Sequence, residues 1–416
     1  MLANNDLPTG KADLLGLPAL SALNADALAA HAQASGEPQW LQQRRANALA
    51  AYEAAALPRW SRTDLAQLQL DAVIPASDAS ATAVQWDPTL SQQGVIFTTL
   101  KAALRSHAEL IERYLGRAVS PIANKFNALH AALWQDGALL YVPKNVAVEE
   151  PLRVVYTLSG SNTLIAPHTL IILERGASVT LVEEFTSPDG LTNPVAFPAT
   201  EAFIGESAQL RLCSVQQWGE GVRHIGAQRV AFEKDGGCEW VSIALGGQLQ
   251  HIDAEATLGA NGARVNWLGV TFASKHQHLV IAPWLRHAAN STDGFMQFKT
   301  VVSDHGYSVF DGMVRIEADT HGTVSRLEEH AVHLSQESRN DSIPGLMIDS
   351  NDIARAGHAS TSGKIDDEQI FYLQARGIPR AEATRIIVMG FLMPVIEAVP
   401  VEDLRERLIA AVEEKI

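Results

Sequence analysis

The residues of this 416-residue chain that could carry chemistry are two cysteines, fourteen histidines and several adjacent carboxylate pairs. Cys213 and Cys238 lie in the runs QLRLCSVQQW and GGCEWVSI, with no CxxC spacing. A conventional iron–sulfur cluster takes about four thiolates, so this chain alone cannot hold one. Both cysteines read as small buried hydrophobes. A sulfur-relay role would need a lowered thiol pKa, which the nearby Arg211 does not establish. His276 and His278 stand two apart and would share a face on a strand. His330 and His333 are close in sequence, while His305 and His321 fall in turn-like stretches; all are expected as surface or turn histidines. Glu149/Glu150, Glu183/Glu184, Glu328/Glu329 and Asp366/Asp367 have the residue types of a glycosidase pair. Solvated corners and helix caps are the expectation for them, and the 6% aromatic content is low for a polysaccharide-active enzyme. There is no GxSxG elbow, no HExxH and no GxxxxGK[ST] loop, so no catalytic residue is assigned.

Helices and strands segregate along the chain. PQWLQQRRANALAAYEAAALP places Trp40, Leu41, Arg44, Ala48 and Tyr52 at helical spacing between Pro38 and Pro58. Pro75 to Pro88 is turn-rich and predicts a surface loop. Thr98 to Leu115 predicts one helix closed by Gly116. From about residue 139 to 348 the chain is a series of short β-type runs separated by Gly, Asn, Asp and Ser. A small-residue turn followed by alternating apolar positions recurs in RGASVTLV, GESAQLRL, DGGCEWVS and ANGARVNW. It sets Ala177, Ala208, Cys238 and Ala263 about 25–31 positions apart, the range of coiled β-solenoids. A β-sandwich is the alternative. Asp366 and Asp367 can cap a helix that stops at Gly377, and further helices follow Pro379 and Pro400. The domains expected are a helix-rich 1–138, a β-core 139–348 and a helical 349–416.

A net charge of −15 argues against nucleic acid or an anionic membrane as the main partner. MLANNDLPTGKADLL lacks the pattern of a secretory signal. The apolar stretch Ile386 to Ile396 is about half a bilayer span. Two cysteines fit a reducing compartment, so the expected location is cytosolic.

Several phrases resemble the SufB/SufD family. PQWLQQRRANALAAYEAAALPRWSRTDL places Trp40, Pro58, Trp60, Arg62, Thr63, Asp64 and Leu65 as that family's N-terminal region does. The most specific piece is RNDSIPGLMIDSNDIARAGHASTSGKIDDEQIFYLQARGIPRAEATRIIVMGFL, whose Ile-Asp-Asp-Glu-Gln form is closer to the SufD branch. The resemblance implies a right-handed parallel β-helix core flanked by helical ends. It also implies a non-catalytic subunit of an iron–sulfur cluster assembly complex. Such a subunit pairs with a SufB-like paralogue, or forms a homodimer when isolated, and docks a SufC-like ABC ATPase.

The resemblance further implies that His358 serves iron or a nascent cluster at the seam between paralogues; neutral imidazole is a competent iron ligand. The family often has Cys where this chain has Ala356, which weakens any thiolate contribution here. No cofactor is expected to stay on this chain alone, iron or a nascent cluster would be transient, and a flavin is neither implied nor excluded. For ATPase docking the residues expected are Asp366, Asp367, Gln369, Phe371, Tyr372, Arg376 and Phe391, since aromatic anchors dominate interfaces. A β-helix polysaccharide-active enzyme and a SufB-like main scaffold are the rival readings.

Overall fold

One backbone device recurs at every coil. Asn145, Gly176, Ser207, Asp235, Gly262 and Ser291 all have positive φ, between 55° and 74°. Their N–H groups donate to the carbonyls of Arg175, Glu206, Lys234, Asn261, Asn290 and His321 on the next coil. A left-handed residue turns the chain sharply, and stacking such residues keeps successive corners in line. The small residue after the corner packs inward, which explains the buried Ala177, Ala208 and Ala263. The computed structural model describes residues 17–60, 62–76 and 82–416. The MLANNDLPTGKADLL stretch and the centre of the turn-rich 75–88 stretch fall outside them.

Strands between the corners stack into a parallel β-solenoid of about eight coils. Among the described residues one sheet has fourteen strands and the other nine. Among the described strands, antiparallel pairing is confined to the N-terminal end: Ile96–Thr99 with Gly137–Val142, and Thr82–Gln85 with Leu152–Thr157. The Thr82–Gln85 strand corrects the loop expected over 75–88.

In-register pairing stacks like positions into columns. One inward column of the nine-stranded sheet runs Leu152, Leu181, Leu212, Trp240, Trp267, Met296, Leu327 and His358. The rings of Trp240 and Trp267 lie parallel, with centroids 3.9 Å apart. Each such ring buries about 150–250 Å² of surface, so this column is a main source of the solenoid's stability.

The adjacent inward column is partly polar: Glu183, Ser214, Ser242, Gly269, Phe298, Glu329 and Ser360. Glu183 is fully buried and accepts from Ser214 Oγ (2.8 Å) and Thr200 Oγ1 (3.1 Å). Desolvation raises its pKa against the lowering effect of these hydroxyls. An acid whose folded-state pKa is raised contributes stability fully present below its unfolded value, which is lost as pH rises through the folded value. Glu183→Gln is therefore expected to gain on the wild type as pH rises from about 4 to 7. Paired urea titrations across that range measure the difference, and a constant or shrinking gap would contradict the assignment.

Helices cover the outer faces. The N-terminal helices are α1 (Ala25–Ala34), α2 (Gln39–Ala54), α3 (Leu100–Ser106), α4 (Ala108–Tyr114) and α5 (Lys125–Leu133). Their apolar residues, among them Leu41, Leu129 and Leu133, pack with Leu170, Ile172 and Phe197 on the fourteen-stranded sheet. The single helix expected over Thr98 to Leu115 is two, because His107 (φ −137°) breaks the helical path between α3 and α4. The C-terminal helices are α6 (Asp367–Gln374), α7 (Arg380–Ile396) and α8 (Glu402–Glu413). Val388, Leu392, Leu404 and Leu408 of α7 and α8 cover Val215, Val241, Val270 and Val301 on the nine-stranded sheet. Asp352–Lys364, within the stretch expected to be helical, is instead a thirteen-residue strand. In-register pairing with His321–His333 makes it the last rung of the nine-stranded sheet.

Candidate functional site

The strand Asp352–Lys364 pairs on one side with His321–His333 and ends the nine-stranded sheet. Its other edge carries no partner strand among the described residues, leaving a row of backbone donors and acceptors at the open end of the solenoid. Register sets Ala356 over Ser325, His358 over Leu327 and Ser360 over Glu329. Leu327 and Glu329 are inward and buried, so His358 continues the inward apolar column at the point where the column meets solvent.

Beneath it, Glu329 accepts from Asn340 Nδ2 (3.3 Å) and Ser360 Oγ (3.4 Å), and Ser360 also bonds Ser342 Oγ (2.7 Å). Burial raises the Glu329 pKa, opposed by hydrogen bonds from Ser342, Thr300, Asn340 and Ser360. This buried carboxylate ties the last strand to the facing sheet. The described residues hold no group of three or more His, Cys, Asp or Glu side chains arranged to bind a metal. The described residues alone therefore do not assemble a three-ligand site around His358.

The C-terminal expectations divide. Asp366 caps α6 by accepting from Glu368 N–H (2.9 Å), and Asp367 pairs with Arg380 (3.0 Å). Of the α6 residues only Ile370 is buried; Phe371 is 71% and Tyr372 57% exposed, and Gln369 also faces solvent. Arg376 lies 3.5 Å over the Tyr372 ring and donates to the Tyr372 carbonyl. Phe391 does not join this group: it packs among the α7–sheet residues, with Lys299 Nζ 5.1 Å over its ring.

The other sequence candidates resolve differently. Cys213 faces outward beneath α7 and α8, and Cys238 faces inward between Leu210 and Val265. Both are buried, and desolvation pushes both thiols far above their usual range, so neither is a ready nucleophile. His276 stacks on His305 in a turn, whereas His278 stacks on Tyr307, so the two do not share a site. His330 bonds Thr361, His333 bonds Ser338 and Ser362, and His321 pairs with Asp352.

Two of the carboxylate pairs are not solvated corners. Alternation on a strand sends Glu183 and Glu329 inward, while Glu184 meets Arg153 and Arg407 and Glu328 meets Arg326. Neither pair faces an open cleft together, which removes the main support for a polysaccharide-active enzyme.

Sequence reasoning named Trp60, Arg62 and Thr63 only as part of a family phrase and missed the partners through which they anchor the N-terminal region. Trp60 stacks on His251 (3.6 Å between centroids), Thr63 Oγ1 bonds His251 Nδ1 (2.9 Å), and Arg62 pairs with Asp341 (3.0 Å). The Trp-x-Arg-Thr phrase is therefore a clamp across the outer face of the fourteen-stranded sheet. Glu201, His168 and His130 form a second buried anchor, with no sequence motif to announce it.

Comparison with known proteins is consistent with this architecture. The family described as "SUF system FeS cluster assembly, SufBD core domain" matches residues 156–391, and "SufBD protein N-terminal region" matches residues 61–154. The chain is 31% identical to the iron–sulfur cluster assembly protein SufD of Bacillus subtilis (strain 168), over 91% of this chain and 95% of that protein. It is 33% identical to an iron–sulfur cluster assembly SufBD family protein of Staphylococcus saprophyticus, over 75% of this chain and 67% of that one. A SufBD family protein of Staphylococcus epidermidis is 29% identical over 88% of this chain and 87% of its own length. No helix among the described residues is long and apolar enough to cross a membrane.

Proposed function

The chain belongs to the SufBD family of iron–sulfur cluster assembly proteins, and from that premise we propose that it is a non-catalytic scaffold subunit that pairs with a SufB-like paralogue and docks a SufC-like ATPase. The observation that carries this reading is the open end of the solenoid. A parallel β-solenoid that leaves a thirteen-residue strand edge unpaired invites strand addition from another chain. Pairing there places His358 at the seam, where groups from the paralogue complete a ligand set for iron or a nascent cluster as cargo. In the absence of the paralogue, the same edge pairs with a second copy. The exposed aromatics of α6 serve the ATPase, which lies off the solenoid axis and leaves the open end free.

Co-expression with the SufB-like and SufC-like partners, followed by size-exclusion chromatography and an ATPase assay, tests the assignment. One complex with raised ATPase activity is expected. Failure of all three chains to associate at low salt under reducing conditions would sink it.

His358→Ala is expected to leave complex assembly intact, because the ring is exposed in the free chain and anchors no described contact. Iron affinity of the complex should fall about tenfold or more, the scale of losing an interaction that supports a metal site. Anaerobic iron titration of the purified complex reads this directly. Unchanged affinity would reduce His358 to an interface residue.

A further inference from the structure

A cleft of about 370 Å³ opens between α2, the loop after α4 and the C-terminal end of α5, remote from both the open end and α6. Its walls are largely apolar, with Leu41, Ala48, Leu115, Val119, Ile122 and Trp134, and Asn47, His130 and His168 also reach it. Ile122 is 81% exposed at its margin, an unusual position for a branched aliphatic side chain. Two arginines, Arg44 and Arg117, face the same space.

In a chain of net charge −15, neither arginine forms an ion pair among the described residues. Arg44 donates to the carbonyls of Leu115 (3.0 Å) and Glu112 (2.8 Å), and Arg117 Nε to that of Arg113 (3.3 Å). These bonds orient the guanidinium groups without neutralising them. Burial lowers the Arg44 pKa, with repulsion from Arg117 as the next cause and attraction to Glu112 and Glu201 opposing both. The loop that carries Arg117 is fixed from behind. The N–H groups of Gly116, Ala118 and Val119 donate to the Glu201 carboxylate at 2.6, 2.6 and 2.7 Å. Two like charges are thus held beside one preformed, largely apolar cleft.

We propose that this cleft is a binding site for a small amphipathic organic anion, whose carboxylate, sulfonate or phosphate lies between Arg44 and Arg117 and whose planar or aliphatic body fills the apolar walls. The volume is in the range of small-molecule sites, about 300–1,000 Å³, and the mix of apolar walls with few polar groups is typical of them. Guanidinium recognises such oxyanions through paired N–H donors. The site is independent of the scaffold role and stands or falls apart from it.

Fluorescence titration with 8-anilinonaphthalene-1-sulfonate, an aromatic sulfonate, tests the site on the full chain. One saturable site is expected, weakened about tenfold or more by Arg117→Gln, an effect worth about 1.4 kcal/mol or more. Ala51→Trp, which fills the cleft from α2, should remove binding. The neutral analogue N-phenyl-1-naphthylamine should bind at least about tenfold more weakly than the sulfonate. Equal affinity for the neutral dye, or no effect of Arg117→Gln, overturns the proposal. So does binding that vanishes with Phe371→Ala, since it would place the dye on α6. Thermal unfolding of each variant separates lost binding from lost folding: Arg117 is exposed, so its variant should keep the wild-type midpoint.

Discussion

Replacing both Phe371 and Tyr372 with alanine should weaken capture of the SufC-like ATPase by about a hundredfold while leaving the melting temperature of the free chain unchanged. The two readouts separate because α6 contributes little to the fold. Its one buried residue is Ile370, and both aromatic rings lie largely in water. The helix is nevertheless held in place, by the Asp366 cap, the Asp367–Arg380 pair and the left-handed Gly377 at its end. Arg376 over the Tyr372 ring limits that ring's rotamers before any partner arrives, so less entropy is lost on docking. Truncating an interface aromatic of this kind costs more than about 1 kcal/mol, and two at about 1.4 kcal/mol each give the hundredfold loss. Phe391→Ala is the contrast. It should lower the melting temperature, because that ring packs between α7 and the nine-stranded sheet. Surface plasmon resonance with immobilised ATPase checks the first expectation. Unchanged affinity for the double variant would move the docking surface off α6.

Why α6 was readable and other features were not comes down to which interactions are local. The corners repeat in sequence because each coil must turn with a left-handed residue, so Gly176, Ser207 and Asp235 leave a periodic trace. The Asp366 cap and the stop at Gly377 are likewise written within one helix. The strand Asp352–Lys364 falls in an expected helical end because its polar GHASTSGK composition lacks apolar alternation. Those residues face solvent at the last coil, where no further coil demands a hydrophobic row. Phe391 could not be separated from Phe371 because α7 buries more than one stripe, and only its position on the sheet decides which ring is covered. Two of the carboxylate pairs depart from the solvated corners expected of them for a related reason. Adjacent residues on a strand face opposite ways, so Glu183 enters the interior while Glu184 meets Arg153 and Arg407. The partners of long-range anchors leave no trace: nothing local tells that Trp60 meets His251 or that Arg62 meets Asp341.

Glu201 is the extreme of that class, and its loss should be the most damaging single change outside the aromatic column. The side chain is fully buried on the outer face of the fourteen-stranded sheet. It accepts from three backbone N–H groups of the 116–119 loop and from His168 Nε2 at 3.0 Å. His168 Nδ1 in turn meets His130 Nε2 at 2.9 Å, and His130 Nδ1 reaches the Phe197 carbonyl at 2.6 Å. A carbonyl only accepts, so His130 carries its proton on Nδ1 and presents a bare Nε2 to His168. Burial holds the His130 pKa down to about 3, which keeps that neutral tautomer at any working pH. His168 sits between a bare His130 Nε2 on one side and the Glu201 carboxylate on the other, so both of its ring nitrogens face acceptors. Glu201→Leu would leave three backbone donors and one imidazole without an acceptor in a buried site. Removing one partner of a buried charged network costs about 3–5 kcal/mol. Glu201→Gln should cost nearly as much, since its amide would present N–H groups to donors. Urea unfolding measures the loss, and hydrogen exchange should rise first at Gly116, Ala118 and Val119. A cost below about 1 kcal/mol for Glu201→Leu would mean the loop finds other acceptors, and the α2–α4 cleft would then lose its preformed wall.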